Sequence, residues 1–306
     1  MDVLVTGITG FVGVNLKKYL EGEYSLIGVS RKANGSLRPY QEIDKIISLN
    51  TKAFIHLAGK AHDVKNTTKE KEYFEVNTEL TKKLFDKFLE SNSETFIFMS
   101  SVKAVADEVE TELIEEVIPN PITAYGKSKI AAEEYILSKT FPNNKRVYIL
   151  RPCMIHGPNN KGNLNLLYNF VSKGIPYPFG RFKNQRSFVS VENLCFVIKK
   201  LLEKNDIPSG VYNVADDDSL STNELVKVIS VGADKKVRII NTPKPLINLL
   251  AKLGDIIPFP INSERVQKLT ENYVVSNKKI KSALGIDEFP LSTREGIIKT
   301  IKSFTE

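Results

Sequence analysis

The chain has 306 residues, 42% of them hydrophobic and 26% charged, with a formal net charge of +7. At this length roughly three quarters of the unfolded surface can be buried, so one or two globular domains form without disulfides or metal. Two lone cysteines, scattered lysines without basic blocks, and no apolar run of the ~18 residues that span a bilayer argue against a disulfide scaffold, a zinc site, nucleic-acid binding and membrane insertion.

No basic and apolar leader opens the chain, so a cytoplasmic location is expected. The most apolar stretch, Pro245 to Ile261, is broken by Lys252 and Asp255 and reads as a solvent-exposed amphipathic helix.

In chain order, Val3 to Val5 read as a first buried strand, followed at once by Gly7, Gly10 and Gly13 and by helical spacing from Phe11 to Glu21. That succession puts backbone N–H groups at a helix N-terminus, where orphan donors and the helix dipole stabilise a pyrophosphate. Gly7 permits the tight turn, Gly10 the close approach of phosphate, and Gly13 close packing of helix on strand. Neither this loop nor Gly157 to Gly162 is followed by Lys-Ser or Lys-Thr, which excludes a P-loop.

The second strand, Ser25 to Val29, runs into Ser30, Arg31 and Lys32, where an NAD site usually carries an acidic residue. A hydroxyl and a guanidinium suit a 2′-phosphate, so NADP is the expected cofactor, with NAD possible.

Strands are expected at Ala53 to Leu57, Thr95 to Met99 and Arg146 to Leu150, with helices over Thr68 to Glu90 and Ala124 to Lys139. This alternation predicts an α/β fold, a Rossmann-like doubly wound parallel sheet. Beyond about residue 155, glycine, proline and asparagine punctuate loops over the carboxyl edge of the sheet. Ser187 to Val191 and Glu192 to Glu203 read as a further strand and helix returning to the sheet, and Gly210 opens a smaller mixed region ending in a helix near Thr293 to Ser303. The expected division is a dinucleotide-binding domain at 1–156, with 187–203 returning to it, and a mainly substrate-binding region at 157–306.

Tyr125 and Lys129 lie four apart on one helical face. A phenol, ordinarily near pKa ~10, becomes a general acid or base near neutrality if a neighbouring ammonium lowers its pKa. Tyr135 and Lys139 repeat the spacing, but ten residues deeper in the helix, where packing is the expected role. Tyr125 starts the helix, and Ser101 ends a central strand beside the expected crevice, placed to donate to a carbonyl oxygen as charge develops. Together Ser101, Tyr125 and Lys129 compose a carbonyl/alcohol redox site.

Taken in order, T-G-I-T-G-F-V-G, H-L-A-G, V-N-T, M-S-S-V-K-A, Y-G-K-S-K, L-R-P-C-M-I-H-G-P, R-S-F-V-S-V-E-N and the closing A-L-G-I-D-E-F-P-L-S-T-R-E-G resemble the extended short-chain dehydrogenase/reductase family, in its nucleotide-sugar epimerase and reductase branch. The resemblance implies Tyr125 as acid/base, Lys129 on the nicotinamide ribose, and Ser101 orienting the substrate. It also implies a cofactor lining of Gly7, Thr9, Gly10, Phe11, Val12, Gly13, Ser30, Arg31, Leu57, Ala58, Gly59, Asn77, Met99 and Pro152. Arg186 would hold a nucleotide diphosphate, with Lys103, Lys161 and Asn163 as further substrate contacts.

Val102 and Lys103 stand where dehydratases of this family carry an Asp-Glu pair, which argues against elimination. His156 replaces a frequent tyrosine, and His56 and His62 read as packing or loop residues. The implied function is reduction of the 4-keto group of a UDP-linked, N-acetylated 6-deoxyhexose. A UDP-hexose 4-epimerase using bound NAD and a non-catalytic dinucleotide sensor stay open, as does a homodimer through the helices at 68–90 and 124–139.

Overall fold

Aliphatic and aromatic runs set the centre of the computed structural model, which describes residues 1–31, 35, 37–43, 45, 51–60, 69–160, 163–256 and 262–304. The chain begins with β1 (Asp2–Thr6), α1 (Phe11–Tyr19), β2 (Ser25–Ser30), the short β3 (Arg38–Pro39) and β4 (Ala53–His56). It continues through α2 (Glu70–Tyr73), a π-helical segment (Phe74–Glu79), α3 (Leu80–Glu90), β5 (Thr95–Met99), β6 (Glu112–Leu113), α4 (Ala124–Leu137) and β7 (Arg146–Pro152). Then come β8 (Met154–His156), α5 (Asn163–Ser172), β9 (Arg186–Ser190), α6 (Val191–Glu203), β10 (Gly210–Val214) and β11 (Ser219–Leu220). The remainder holds α7 (Thr222–Gly232), α8 (Lys244–Ile256), α9 (Ser263–Thr270), β12 (Val274–Val275), α10 (Lys278–Leu284) and α11 (Thr293–Lys302).

Seven strands form one sheet in the order β10-β7-β5-β4-β1-β2-β3, every neighbouring pair parallel. β4 and β5 are buried throughout, as strands covered on both faces must be. Leu16 and Leu20 of the first helical unit pack with Leu194, Val197 and Ile198 of α6 on one face. Leu84, Phe85 and Phe88 of α3 pack with Ala132 and Ile136 of α4 on the other. The strand order turns back at β1, so a crevice opens at the carboxyl ends of β1 and β4, where doubly wound sheets take their ligands.

One topological expectation is corrected. β9 does not return to this sheet: it pairs in parallel with β8 and antiparallel with β11 in a separate three-stranded sheet. The place beside β7 is taken by β10, whose register runs from Gly210 opposite Tyr148 to Val214 opposite Pro152. Only α6 returns, docking against α1.

A second core gathers Tyr177, Phe179, Phe188, Val226, Ile229, Ile297 and Ile301 beneath α5, α7, α8 and α11. Helix α7 opens on a capping box of Ser221 and Glu224, and α11 on one of Ser292 and Glu295, each satisfying orphan donors reciprocally.

Candidate active site

The glycine loop follows from steric requirements. Gly7 sits at φ +72°, and a Cβ there would lie 2.6 Å from Ala58 N, so the loop after β4 can approach only a glycine. At Gly13 a Cβ would meet Gly7 O at 2.4 Å and Ile8 Cα at 2.5 Å, because α1 lies directly on the turn. Gly10 differs: among the described residues its only close neighbour would be Gly7 O at 3.2 Å, which leaves its side open to them. It is also the N-cap of α1, and no side chain among the described residues caps that helix. Uncapped first-turn N–H groups beside an open glycine form a cradle for an anion, and that cradle fits a dinucleotide pyrophosphate.

Ser30 ends β2 on the same edge of the sheet, and Arg31 follows it, exposed. Lys32 and His62 lie outside the described residues.

Beyond the loop is a cavity of about 260 Å³ at the carboxyl ends of β4, β5 and β7. It brings together Leu57, Gly59, Met99, Ser101, Tyr125, Lys129 and Pro152 from four separate stretches of chain. Tyr125 reaches it from the first turn of α4, which is fixed by an N-cap in which Thr123 accepts from Gly126 N. Asp107 anchors that cap, accepting from Ile122 N at 2.7 Å and from the N and Oγ1 of Thr123 at 3.2 Å. A Cβ on Gly126 would lie 2.3 Å from Lys103 O, so α4 presses against the loop that carries Ser101.

The electrostatics of the phenol correct the expectation drawn from spacing. Burial raises the Tyr125 pKa above its ordinary value of 10.0, and a hydrogen bond with Ser101 only partly counters this. The phenol is thus held protonated, because desolvation penalises the phenolate more than its neighbours favour it. Its ring meets Tyr73 edge-on at 6.3 Å. Burial lowers the Lys129 ammonium to about 8, with Glu133 pulling it back up. Lys129 Nζ donates to Met99 O at 2.7 Å and lies 4.9 Å from the Phe98 ring centroid.

Under this floor lies a buried polar network that the sequence did not announce. Asn77, in the π-helical segment, accepts from Lys60 N at 2.7 Å and donates to Lys60 O at 3.1 Å and Ser128 Oγ at 2.9 Å. It therefore clamps the loop after β4 to α4, and a π turn is a common device for placing one such residue. His56 lies 2.6 Å from Thr6 Oγ1 and 2.9 Å from Thr81 Oγ1, and Thr81 donates onward to Asn77 O. That direction assigns His56 the tautomer that donates from Nε2 and accepts at Nδ1. Burial drives its pKa to about 3, with the Lys129 charge adding to the effect, so it is a neutral strut as expected.

Glu133, one turn past Lys129, accepts from Ser100 Oγ and from Arg151 Nε and Nη2, the last at 2.5 Å. Both members of this ion pair are buried.

On the substrate side the predicted residues divide. Lys103 donates to Asp107 O at 2.6 Å and stands over the Tyr273 ring, and burial lowers its pKa. Arg186, at the start of β9, bonds Lys268 O and lies 3.4 Å from Glu271. Lys161 and the side chain of Asn163 lie outside the described residues. Tyr135 turns away from the crevice, donating to Asp86 of α3 at 2.6 Å, which separates it from Tyr125.

Residues that the sequence reading missed include Lys60, Cys153 and Ile155 in the cavity lining. Burial raises the Cys153 thiol pKa well above its ordinary value, which keeps the group in its thiol form. His156 is fully buried between Asp216 and Thr300. Among the described residues no cluster could hold a metal ion, and no helix is long and apolar enough to cross a membrane.

Residues 3–215 match the NAD dependent epimerase/dehydratase family. Across its whole length the chain is 31% identical to a UDP-glucose 4-epimerase of Vibrio cholerae, 96% of which is covered. Over 79% of its length it is 26% identical to a GDP-6-deoxy-D-mannose reductase of Pseudomonas aeruginosa, covering 83% of that protein. Its fold matches a UDP-glucose 4-epimerase of Thermotoga maritima solved with UDP-glucose, at a TM-score of 0.75 and 22% identity over 100% of this chain and 99% of that one. Proteins of this fold have been solved with NAD and with NADPH. The chain therefore belongs to the NAD dependent epimerase/dehydratase family, in the nucleotide-sugar branch of the extended short-chain dehydrogenases/reductases, and is an NAD(P)-dependent oxidoreductase or epimerase.

Proposed function

We propose that the chain reduces the 4-keto group of a UDP-linked hexose, N-acetylated and 6-deoxy, with NADP(H) as its cofactor. The observation that carries this reading is a phenol kept in its acid form, with Ser101 as its hydrogen-bond partner, in a cavity that also holds Lys129. When bound, the dinucleotide supplies hydride equivalents at C4 of the sugar.

The chain's own groups do the rest. Ser101 orients the C4 oxygen and donates to it, and Tyr125 gives up its phenolic proton as alkoxide character grows there. Lys129 holds the nicotinamide ribose and offsets the phenolate that the proton transfer leaves. Gly7, Gly10 and Gly13 seat the pyrophosphate, and Leu57, Ala58, Gly59, Met99 and Pro152 wall the cofactor groove, with Thr9, Phe11 and Val12 beside the phosphates. Ser30 and Arg31 take the 2′-phosphate, and Asn77 fixes the loop that faces the nicotinamide side. Arg186 pairs the nucleotide diphosphate, with Lys103, Lys161 and Asn163 completing the sugar and phosphate contacts.

A second reading, a UDP-hexose 4-epimerase with retained NAD, is favoured by the 31% identical relative of that name. One experiment separates the two: purified protein is incubated with a UDP-4-ketosugar and NADPH, and separately with UDP-glucose or UDP-N-acetylglucosamine alone. Stoichiometric NADPH loss supports the reductase; interconversion of sugars without net oxidation supports the epimerase. Neither reaction, with dinucleotide still bound, leaves a sensor. Equal affinity for NADH and NADPH refutes the assignment of Ser30 and Arg31.

A further inference from the structure

Helix α8 carries apolar residues on two faces. Ile247 and Ala251 are buried in the second core, as an amphipathic helix requires. On the outer side Leu246, Leu249, Leu253 and Ile256 are 46%, 56%, 46% and 84% exposed. Their spacing of three, four and three residues aligns them in one strip along the helix axis. Single exposed leucines are ordinary, but four in one helical strip are not.

The charges carried by and beside α8 are mostly positive. Lys252 is exposed on the face flanking the strip, and at the start of the helix the exposed Lys244, standing over the Phe182 ring, lines a hollow of about 580 Å³ with Arg181 and Lys183. Asp255 is the only acid in α8, and its carboxylate is occupied by Ser263, accepting from N at 2.9 Å and Oγ at 2.6 Å. A second copy of the chain on this strip would bring like charges together. A layer of anionic phosphates over an apolar interior matches both features.

We propose that α8 docks the protein on the surface of an anionic lipid bilayer, with the four apolar side chains in the interface and Arg181, Lys183 and Lys244 against lipid phosphates. The contact is interfacial and involves no crossing of the bilayer.

The test is co-sedimentation of the purified full-length protein with vesicles of phosphatidylcholine, with and without phosphatidylglycerol. Wild type is expected to pellet with the anionic vesicles at low salt and to be released as salt is raised. Leu249→Glu with Leu253→Glu lowers the partition coefficient about tenfold or more, and Arg181→Glu with Lys244→Glu lowers it similarly. Both variants keep the wild-type thermal midpoint, since none of the four residues is buried.

Wild type remaining in the supernatant with anionic vesicles overturns the proposal, as does a leucine variant that pellets like wild type. A dimer in size-exclusion chromatography that the leucine variant dissociates, without vesicle binding by wild type, also overturns it and assigns the strip to a second copy.

Discussion

Gly10 and Gly13 lie three residues apart, yet substitution at the two positions should fail in opposite ways. In Gly13→Ala the new methyl would lie 2.4 to 2.6 Å from Gly7 O, Ile8 Cα and Ile8 C, all backbone atoms that no rotamer change can move. Helix α1 must lift from the β1 turn, an overpacking that costs about 1–3 kcal/mol, while the helix preference for alanine over glycine returns up to ~1 kcal/mol. A net loss of about 1–2 kcal/mol lowers Tm by several degrees, and the displaced loop loses dinucleotide as well. In Gly10→Ala the nearest atom is Gly7 O at 3.2 Å, and the backbone at φ −78°, ψ 173° is open to any residue. Stability therefore changes by less than ~1 kcal/mol, while the methyl occupies the approach to the pyrophosphate and weakens binding about tenfold or more. Thermal unfolding without nucleotide and calorimetric titration with NADPH measure the two effects separately. Wild-type NADPH affinity in Gly10→Ala, or wild-type Tm in Gly13→Ala, would refute the assignment of these glycines.

Three further outcomes follow from the buried charges. Glu133→Gln leaves the Arg151 guanidinium buried without its counter-ion and should cost about 3–5 kcal/mol in urea denaturation, much of it recovered when Arg151→Met is added. His56 has a folded pKa of about 3 against 6.5 unfolded, so the unfolded chain binds the extra proton between these values and stability falls as pH drops below 6.5. The loss is on the order of 4 kcal/mol by pH 3, and His56→Asn should flatten that part of the stability–pH curve. Lys129 has a folded pKa of about 8, so kcat/KM for reduction should decline above that pH as the ammonium that offsets the Tyr125 phenolate is lost. A kcat/KM flat to pH 9.5 would contradict that role.

Much of the frame was legible because it rests on local signals. Buried strands read as short apolar runs, and the glycine spacing announces the tight turn at Gly7 and the helix packing at Gly13 that the structure provides. What escaped depends on partners distant in sequence. β9 and β10 are both five-residue, largely buried strands, and which of them pairs with β7 is decided by the packing of the whole second region. The π turn at Asn77 has no sequence signature of its own, since its stabilising partners are Lys60 and Ser128. Glu133 and Arg151 look like surface charges until the fold buries each against the other. Spacing also misjudged the phenol: it counted the cation of Lys129 but not the desolvation that raises the pKa of Tyr125.

The central claim is that Tyr125 delivers the proton while the glycine loop and Lys129 hold the dinucleotide. Single-turnover NADPH oxidation by Tyr125→Phe on a UDP-4-ketosugar, with the NADPH dissociation constant measured on the same preparation, tests it most directly. The account predicts a rate lowered about 10²- to 10⁴-fold with the dissociation constant changed less than about twofold. A variant that turns over at the wild-type rate with NADPH bound as tightly would contradict it.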